Sequence, residues 1–128
     1  MAEYAAAVLE PEHRQLRPVR RTRLMATTPE SKVKAAVRQW LKARKVWHFM
    51  PVSNGMGQMG IPDIIACYDG RFLAIETKAP GKRGNTTPLQ KRQLQGIADS
   101  NGLAIVVDDA TQLDELAAGL ERLKHGTT

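Results

Sequence analysis

Gly60-Ile61-Pro62-Asp63, followed thirteen residues after Asp63 by Glu76-Thr77-Lys78, supplies two carboxylates and an ammonium in one short stretch of chain. The residues between them, Ile64-Ile65-Ala66-Cys67-Tyr68-Asp69-Gly70-Arg71-Phe72-Leu73-Ala74-Ile75, read as a β-hairpin. Asp69-Gly70 between apolar, β-prone runs is the signature of a two-residue type I′ turn. With that turn, Ile64 faces Ile75 and Asp63 faces Glu76, Cβ atoms about 5 Å apart. Lys78, two residues beyond Glu76, projects from the same side of the sheet. Like charges opposed across a strand pair are unfavourable unless something compensates. Oxygen donors suit a hard divalent cation such as Mg²⁺ or Mn²⁺. The three residues therefore predict a metal site with a lysine beside it.

At 128 residues, 42% of them apolar, the chain is expected to form one soluble domain with a modest core. No apolar run approaches the roughly 20 residues that span a bilayer, so no membrane association is expected. Tyr4 to Leu9 is too short and wrongly flanked for a secretory signal, which points to a cytoplasmic location. A single cysteine, Cys67, rules out an internal disulfide framework and a cysteine-rich zinc site. It falls in a predicted buried strand, where it reads as a small apolar filler. The net charge of +6 is unevenly spread. Between Thr28 and Arg92 there are 12 Lys/Arg against 4 Asp/Glu, whereas from Gln93 onward there are 2 against 6. A basic region whose few acids gather at the candidate site suits a polyanionic substrate held around a metal. An ordinary solvated basic surface is the competing explanation.

Residues 1–27 read as a basic arm: Arg14, Arg17, Arg20, Arg21 and Arg23 have no acid among them, and Pro18 interrupts. Met25 stands just before the first well-formed element. The domain is expected over residues 28–128. Thr28, Pro29 and Glu30 form a helix start, and Val33, Ala36, Val37, Trp40 and Leu41 its buried stripe. A strand is expected over 46–52, then a glycine-rich loop through residue 60, then hairpin strands over 63–68 and 71–78. Lys82 and Arg83 lie in the turn-rich loop that follows, well placed to clamp phosphate, with a solvated loop as the alternative. Thr87-Pro88-Leu89-Gln90 reads as a capping box opening a helix that buries Leu89, Leu94, Ile97 and Ala98 and stops at Asn101-Gly102. Residues 103–107 form a buried strand, joined in parallel by the crossover. A last helix over 112–124 carries Leu113, Leu116, Ala117, Leu120 and Leu123. His13, His48 and His125 show no metal-ligand spacing. Trp40 reads as packing, Trp47 as core or a stacking surface, and Asp108-Asp109 as a strand end and turn.

This α-β-β-β-α-β-α order, with Pro62-Asp63 and Glu76-Thr77-Lys78 on adjacent strands, resembles the PD-(D/E)XK nuclease superfamily. Within it the chain resembles the virus-type replication-repair nuclease domain, VRR-NUC. Glu30 early in the first helix, Ser53-Asn54-Gly55 after the first strand, Gly60-x-Pro62-Asp63, Glu76-Thr77-Lys78 and Gln90 occur in the family's order over residues 29–107. The resemblance implies an α/β restriction-endonuclease-like core with a mixed central sheet flanked by helices. It implies a Mg²⁺- or Mn²⁺-dependent deoxyribonuclease in which Asp63, Glu76 and the Thr77 carbonyl hold the metal. Lys78 would orient or help deprotonate the attacking water. Glu30 would be a site-facing carboxylate, though the helix dipole alone would justify it. Gln90 would orient Lys78 or contact phosphate, though capping alone would justify it. Ser53 and Asn54 would touch the site or the nucleic-acid backbone, or simply form a turn. Standalone relatives of this size often act as homodimers on four-way DNA junctions, so the resemblance implies a homodimer acting in DNA repair or recombination in a bacterial or phage setting. A flap- or end-directed nuclease, and a catalytically inactive module that binds structured DNA, are the alternatives.

Overall fold

The computed structural model describes residues 27–52 and 59–126. The arm before Thr27, together with Ser53 and Asn54, lies outside the described residues. Helix α1 (Pro29–Ala43) starts where the capping signals place it. The Thr28 hydroxyl accepts from the Ser31 N–H at 3.0 Å, and the Ser31 hydroxyl accepts from the Thr28 N–H at 2.9 Å. Val33, Val37 and Leu41 are buried on one stripe, while Ala36, expected among them, faces solvent. Trp40 packs at the core margin. Its indole N–H donates to Asp114 at 2.8 Å, and the Arg44 guanidinium stacks 3.9 Å from its ring centre.

Strand β1 (Trp47–Phe49) is shorter than the expected run over 46–52. Pro51, which lacks an N–H, cannot extend the ladder. Strands β2 (Ile64–Tyr68) and β3 (Arg71–Thr77) form the hairpin in the expected register, Ile64 opposite Ile75 and Tyr68 opposite Arg71. Asp69 and Gly70 have φ of +55° and +81°, the paired left-handed conformation of a type I′ turn. A short 3₁₀ turn at Arg83–Asn85 leads into helix α2 (Pro88–Asp99), and strand β4 (Leu103–Val107) returns parallel to β3. Helix α3 (Gln112–Lys124) completes the order. The sheet is β1-β2-β3-β4, antiparallel except for its last pair.

One face of the sheet carries the core. Ile64, Ala66, Leu73, Ile75 and Val107 pack there with Val33, Val37 and Leu41 of α1 and Leu113 of α3. Leu123, also expected in that core, is 67% exposed on the last turn of α3. Helix α2 lies on the opposite face, against β4, and covers less than its periodicity suggests. Leu94 and Ile97 are only partly buried, and Leu89 and Ala98 are exposed. The β1–β2 part of that face is left open. Trp47, Cys67 and Phe72 stand in one row across it, Trp47 65% and Phe72 50% exposed. Cys67 is thus a surface residue rather than a buried filler. Among the described residues no helix is long and apolar enough to cross a membrane.

Candidate active site

The site forms where β2 begins and β3 ends, with α1 and α2 closing in from the two faces. Asp63 sits one position before the first paired residue of β2. Instead of facing Glu76 squarely, its carboxylate turns to the neighbouring residue. Oδ2 accepts from the Thr77 backbone N–H at 2.9 Å and from the Thr77 hydroxyl at 2.8 Å. Thr77 is fully buried, so this anchor is rigid. Oδ1 makes only a loose ion pair, 3.8 Å from the ammonium of Lys34.

Glu76 is 3% exposed. Its Oε2 accepts from the Gln90 side-chain N–H at 2.9 Å and lies 3.7 Å from the Lys78 ammonium. Its Oε1 is buried with no hydrogen-bond partner among the described residues. Burial and the nearby Asp63 charge push the Glu76 carboxyl up to about 7, with Glu30 adding to the rise and Lys78 opposing it. Lys78 donates to Gln90 Oε1 at 2.9 Å. The same Oε1 accepts from the Thr87 N–H at 2.9 Å to close the capping box of α2. A single amide therefore caps the helix, fixes the lysine and holds the glutamate. The capping expected of Gln90 is seen directly, and its amide also touches Lys78 and Glu76.

Gly60 ties the acidic loop to this helix start. Its φ is +78°, and a Cβ there would stand 2.7 Å from the Leu89 carbonyl carbon and oxygen and 2.9 Å from the Gln90 nitrogen. Only glycine allows that approach. The Gln93 side chain reinforces the contact by donating to the Met59 carbonyl at 3.1 Å.

Glu30, in the first turn of α1, is half-buried and close enough to act electrostatically on Glu76. Lys34 stands one turn further on and was not singled out by the sequence. Its signal was the four-residue spacing from Glu30, which puts both on one flank of the helix. Lys82 and Arg83 are exposed on the loop after β3, and neither reaches the carboxylates in any contact of the structure. That loop is pinned by the Gly81 N–H, which donates to Asp108 Oδ2 at 2.9 Å. Asp108 is held in turn by Gln112, so it serves the loop. His48 turns its Nδ1 to the Val46 carbonyl, 2.9 Å away.

Each carboxylate of the pair thus has one oxygen fixed by the protein and one left over. Oxygen donors of this kind fit a hard divalent cation, and the orphaned Oε1 is an atom that such an ion would satisfy. Among the described residues no group of three or more His, Cys, Asp or Glu side chains forms a cluster. A cation here would rest on two carboxylates, with backbone and water completing its shell.

Two solved structures are similar to this chain in fold. One described as a VRR_NUC domain aligns with a TM-score of 0.58 at 22% identity, over 71% of this chain and 96% of that one. Another, described as a VRR_NUC domain protein, aligns with a TM-score of 0.58 at 21% identity, over 72% and 87% of the two chains. The chain has the VRR-NUC fold. No family model and no curated protein matches it. In VRR-NUC terms the α/β core with a mixed sheet flanked by helices is as the motif order predicts.

Proposed function

We propose that this protein is a metal-dependent nuclease that hydrolyses DNA phosphodiester bonds, with Asp63 and Glu76 holding Mg²⁺ or Mn²⁺ and Lys78 acting beside them. The observation that carries this reading is the buried Oε1 of Glu76, without a partner among the described residues, next to a second anchored carboxylate. A buried polar atom left unsatisfied costs about 1–3 kcal/mol, more for a charged group, and such a cost is retained where a ligand offsets it. When bound, the cation supplies Lewis acidity at the phosphoryl group. Asp63, gripped at Oδ2 by Thr77, presents Oδ1 in a fixed place. Glu76, gripped at Oε2 by Gln90, presents Oε1. In this reading the Thr77 carbonyl is a further ligand, although the observed work of Thr77 is to anchor Asp63.

Lys78 is held by Gln90 with its ammonium near the acidic pair, where it complements the charge that builds on a phosphate under attack. Gln90 acts through Lys78 and Glu76 by fixing both. Glu30 adds negative potential at the cation seat. Lys82 and Arg83 extend the basic surface along which a DNA backbone would run, and Ser53 and Asn54 remain proposed contacts to it. The finer reading, a homodimer acting on branched DNA such as a four-way junction, draws on the resemblance and on the small footprint of one domain.

Incubating the protein with linear, nicked, flapped and four-way DNA in Mg²⁺ or Mn²⁺, and mapping the cuts, tests the activity and its preference together. Lys78→Ala should abolish cleavage while DNA binding persists. Binding without cleavage by the unaltered protein, in either metal, would leave a structured-DNA-binding module instead. Cuts confined to flaps or ends would replace the junction reading within the same chemistry, and sedimentation reads the assembly.

A further inference from the structure

The pair between Lys34 and Asp63 is as loose as that between Lys78 and Glu76, but only Lys78 is also tied in place, by its hydrogen bond to Gln90. Thr77 grips Oδ2 with hydrogen bonds of 2.8 and 2.9 Å, whereas the Lys34 ammonium stands 3.8 Å from Oδ1. That separation is beyond hydrogen-bond reach. It is a charge pair held by position alone, between side chains that remain 32% and 23% exposed. The position is set by α1: Thr28 fixes where the helix begins, and Glu30 and Lys34 then follow one turn apart on the flank of its buried stripe. We propose that Lys34 is a displaceable counter-ion, occupying Asp63 Oδ1 until a divalent cation takes that oxygen and then meeting a phosphate of the DNA. The proposal rests on reading Asp63 and Glu76 as cation ligands.

The charges support this exchange. Without a metal, Asp63 and Glu76 place two carboxyl groups side by side, Glu30 adds to the potential at Glu76, and each member of the pair has one lysine against it, Lys34 for Asp63 and Lys78 for Glu76. Lys78 is also tied to Gln90 and is only 13% exposed, so it stays. Lys34 has no hydrogen bond in the structure to hold it to Oδ1. A doubly charged ion in direct contact with Oδ1, at about 2.1 Å for Mg²⁺, outcompetes a single charge nearly twice as far away. The released ammonium sits on a flexible four-carbon stem, and the anion that arrives after the metal is the phosphate. Arg38, a turn further along the same flank, has its Nε buried without a hydrogen-bond partner among the described residues and lengthens the basic edge.

Lys34→Met keeps the stem and removes the charge. Titrating metal-free protein with Mn²⁺ alone by calorimetry, Lys34→Met should bind about five- to tenfold more tightly than the unaltered protein, the size expected for removing one competing charge near the surface. Lys34→Arg should stay close to the unaltered protein. With Mn²⁺ saturating, Lys34→Met should show a severalfold higher KM for four-way DNA and a kcat changed by less than twofold. A merely structural role cannot raise metal affinity. Equal or weaker Mn²⁺ binding by Lys34→Met overturns the proposal while leaving the nuclease reading intact. If the unaltered protein takes up no Mn²⁺, both fall. Should Lys34→Met not fold, as judged by its thermal transition, Lys34→Gln provides the same comparison.

Discussion

Glu76 is costly to ionise, because it is buried beside Asp63 and one of its oxygens has no hydrogen-bond partner among the described residues. Its carboxyl, ordinarily near 4.5, rises to about 7, so between those values the folded protein keeps a proton that the unfolded chain has released. Stability from this group is therefore greatest at low pH, is lost as pH climbs through that window, and is level above it. Without metal, the stability of the unaltered protein relative to Glu76→Gln should fall by about 2–3 kcal/mol between pH 5 and pH 8. Urea unfolding in a chelator measures it, and parallel pH profiles for the two proteins would show that Glu76 is not strained. Gly60 presents a second residue-scale constraint. Gly60→Ala places a Cβ against the backbone of Leu89 and Gln90 at a left-handed φ, and those atoms cannot step aside as a flexible side chain would. The expected loss is about 2–3 kcal/mol. Cleavage should fall further than stability explains, since the helix start that moves is the one bearing Gln90. Unaltered kinetics at full folding would mean that the loop accommodates the methyl.

The two capped helices carry their site residues in different ways, and one substitution in each separates them. Thr28→Ala and Thr87→Ala should each cost about 1 kcal/mol as lost N-caps. Only Thr87→Ala disturbs the helix turn in which Gln90 holds Lys78 and Glu76, so it should lower kcat several-fold while Thr28→Ala leaves kcat within about twofold. Equal kcat for the two would detach capping from catalysis. These caps were legible in the sequence because they are local: Thr28 followed by Pro29 and Glu30, and Thr87 with Pro88 and its partner Gln90 three residues on, whereas the Ser31 half of the first box was found only in the structure. The Asp69-Gly70 turn was legible for the same reason, and it carried the hairpin register with it. What α2 covers was not legible. The 3.6-residue recurrence of Leu94 and Ile97 states that a face turns inward, but not that the helix lies over β4 and leaves Trp47, Cys67 and Phe72 in the open. Nor could periodicity pair Lys34 with Asp63, twenty-nine residues away, or bring the Gly60 backbone onto α2. Those contacts exist only once the sheet is assembled.

Charge is organised on the scale of the whole molecule. The excess of lysine and arginine between Thr28 and Arg92 surrounds an acidic pair, while the chain from Gln93 onward is net negative. The proposed DNA substrate would therefore be drawn toward the part of the fold that contains β3 and the loop after it, and repelled from α3, whose first turn carries Asp114 and Glu115. Lys82 and Arg83 occupy that loop, and the Asp108 hydrogen bond to Gly81 keeps it in place. If both cations lie on phosphates, replacing them with alanine should weaken DNA binding alike for all sequences, because phosphate contacts carry no base information. It should also make the plot of log affinity against log salt concentration shallower by about 2, close to one unit for each phosphate no longer neutralised. Asp108→Ala should produce a smaller change of slope in the same direction, since it frees the loop without removing its charge. Titrations in Ca²⁺, a metal expected to allow binding without turnover, measure these slopes across a series of salt concentrations. A slope unchanged by the double substitution would place the DNA path elsewhere on the basic surface, with α1 and its Lys34–Arg38 edge the next part of the molecule to test.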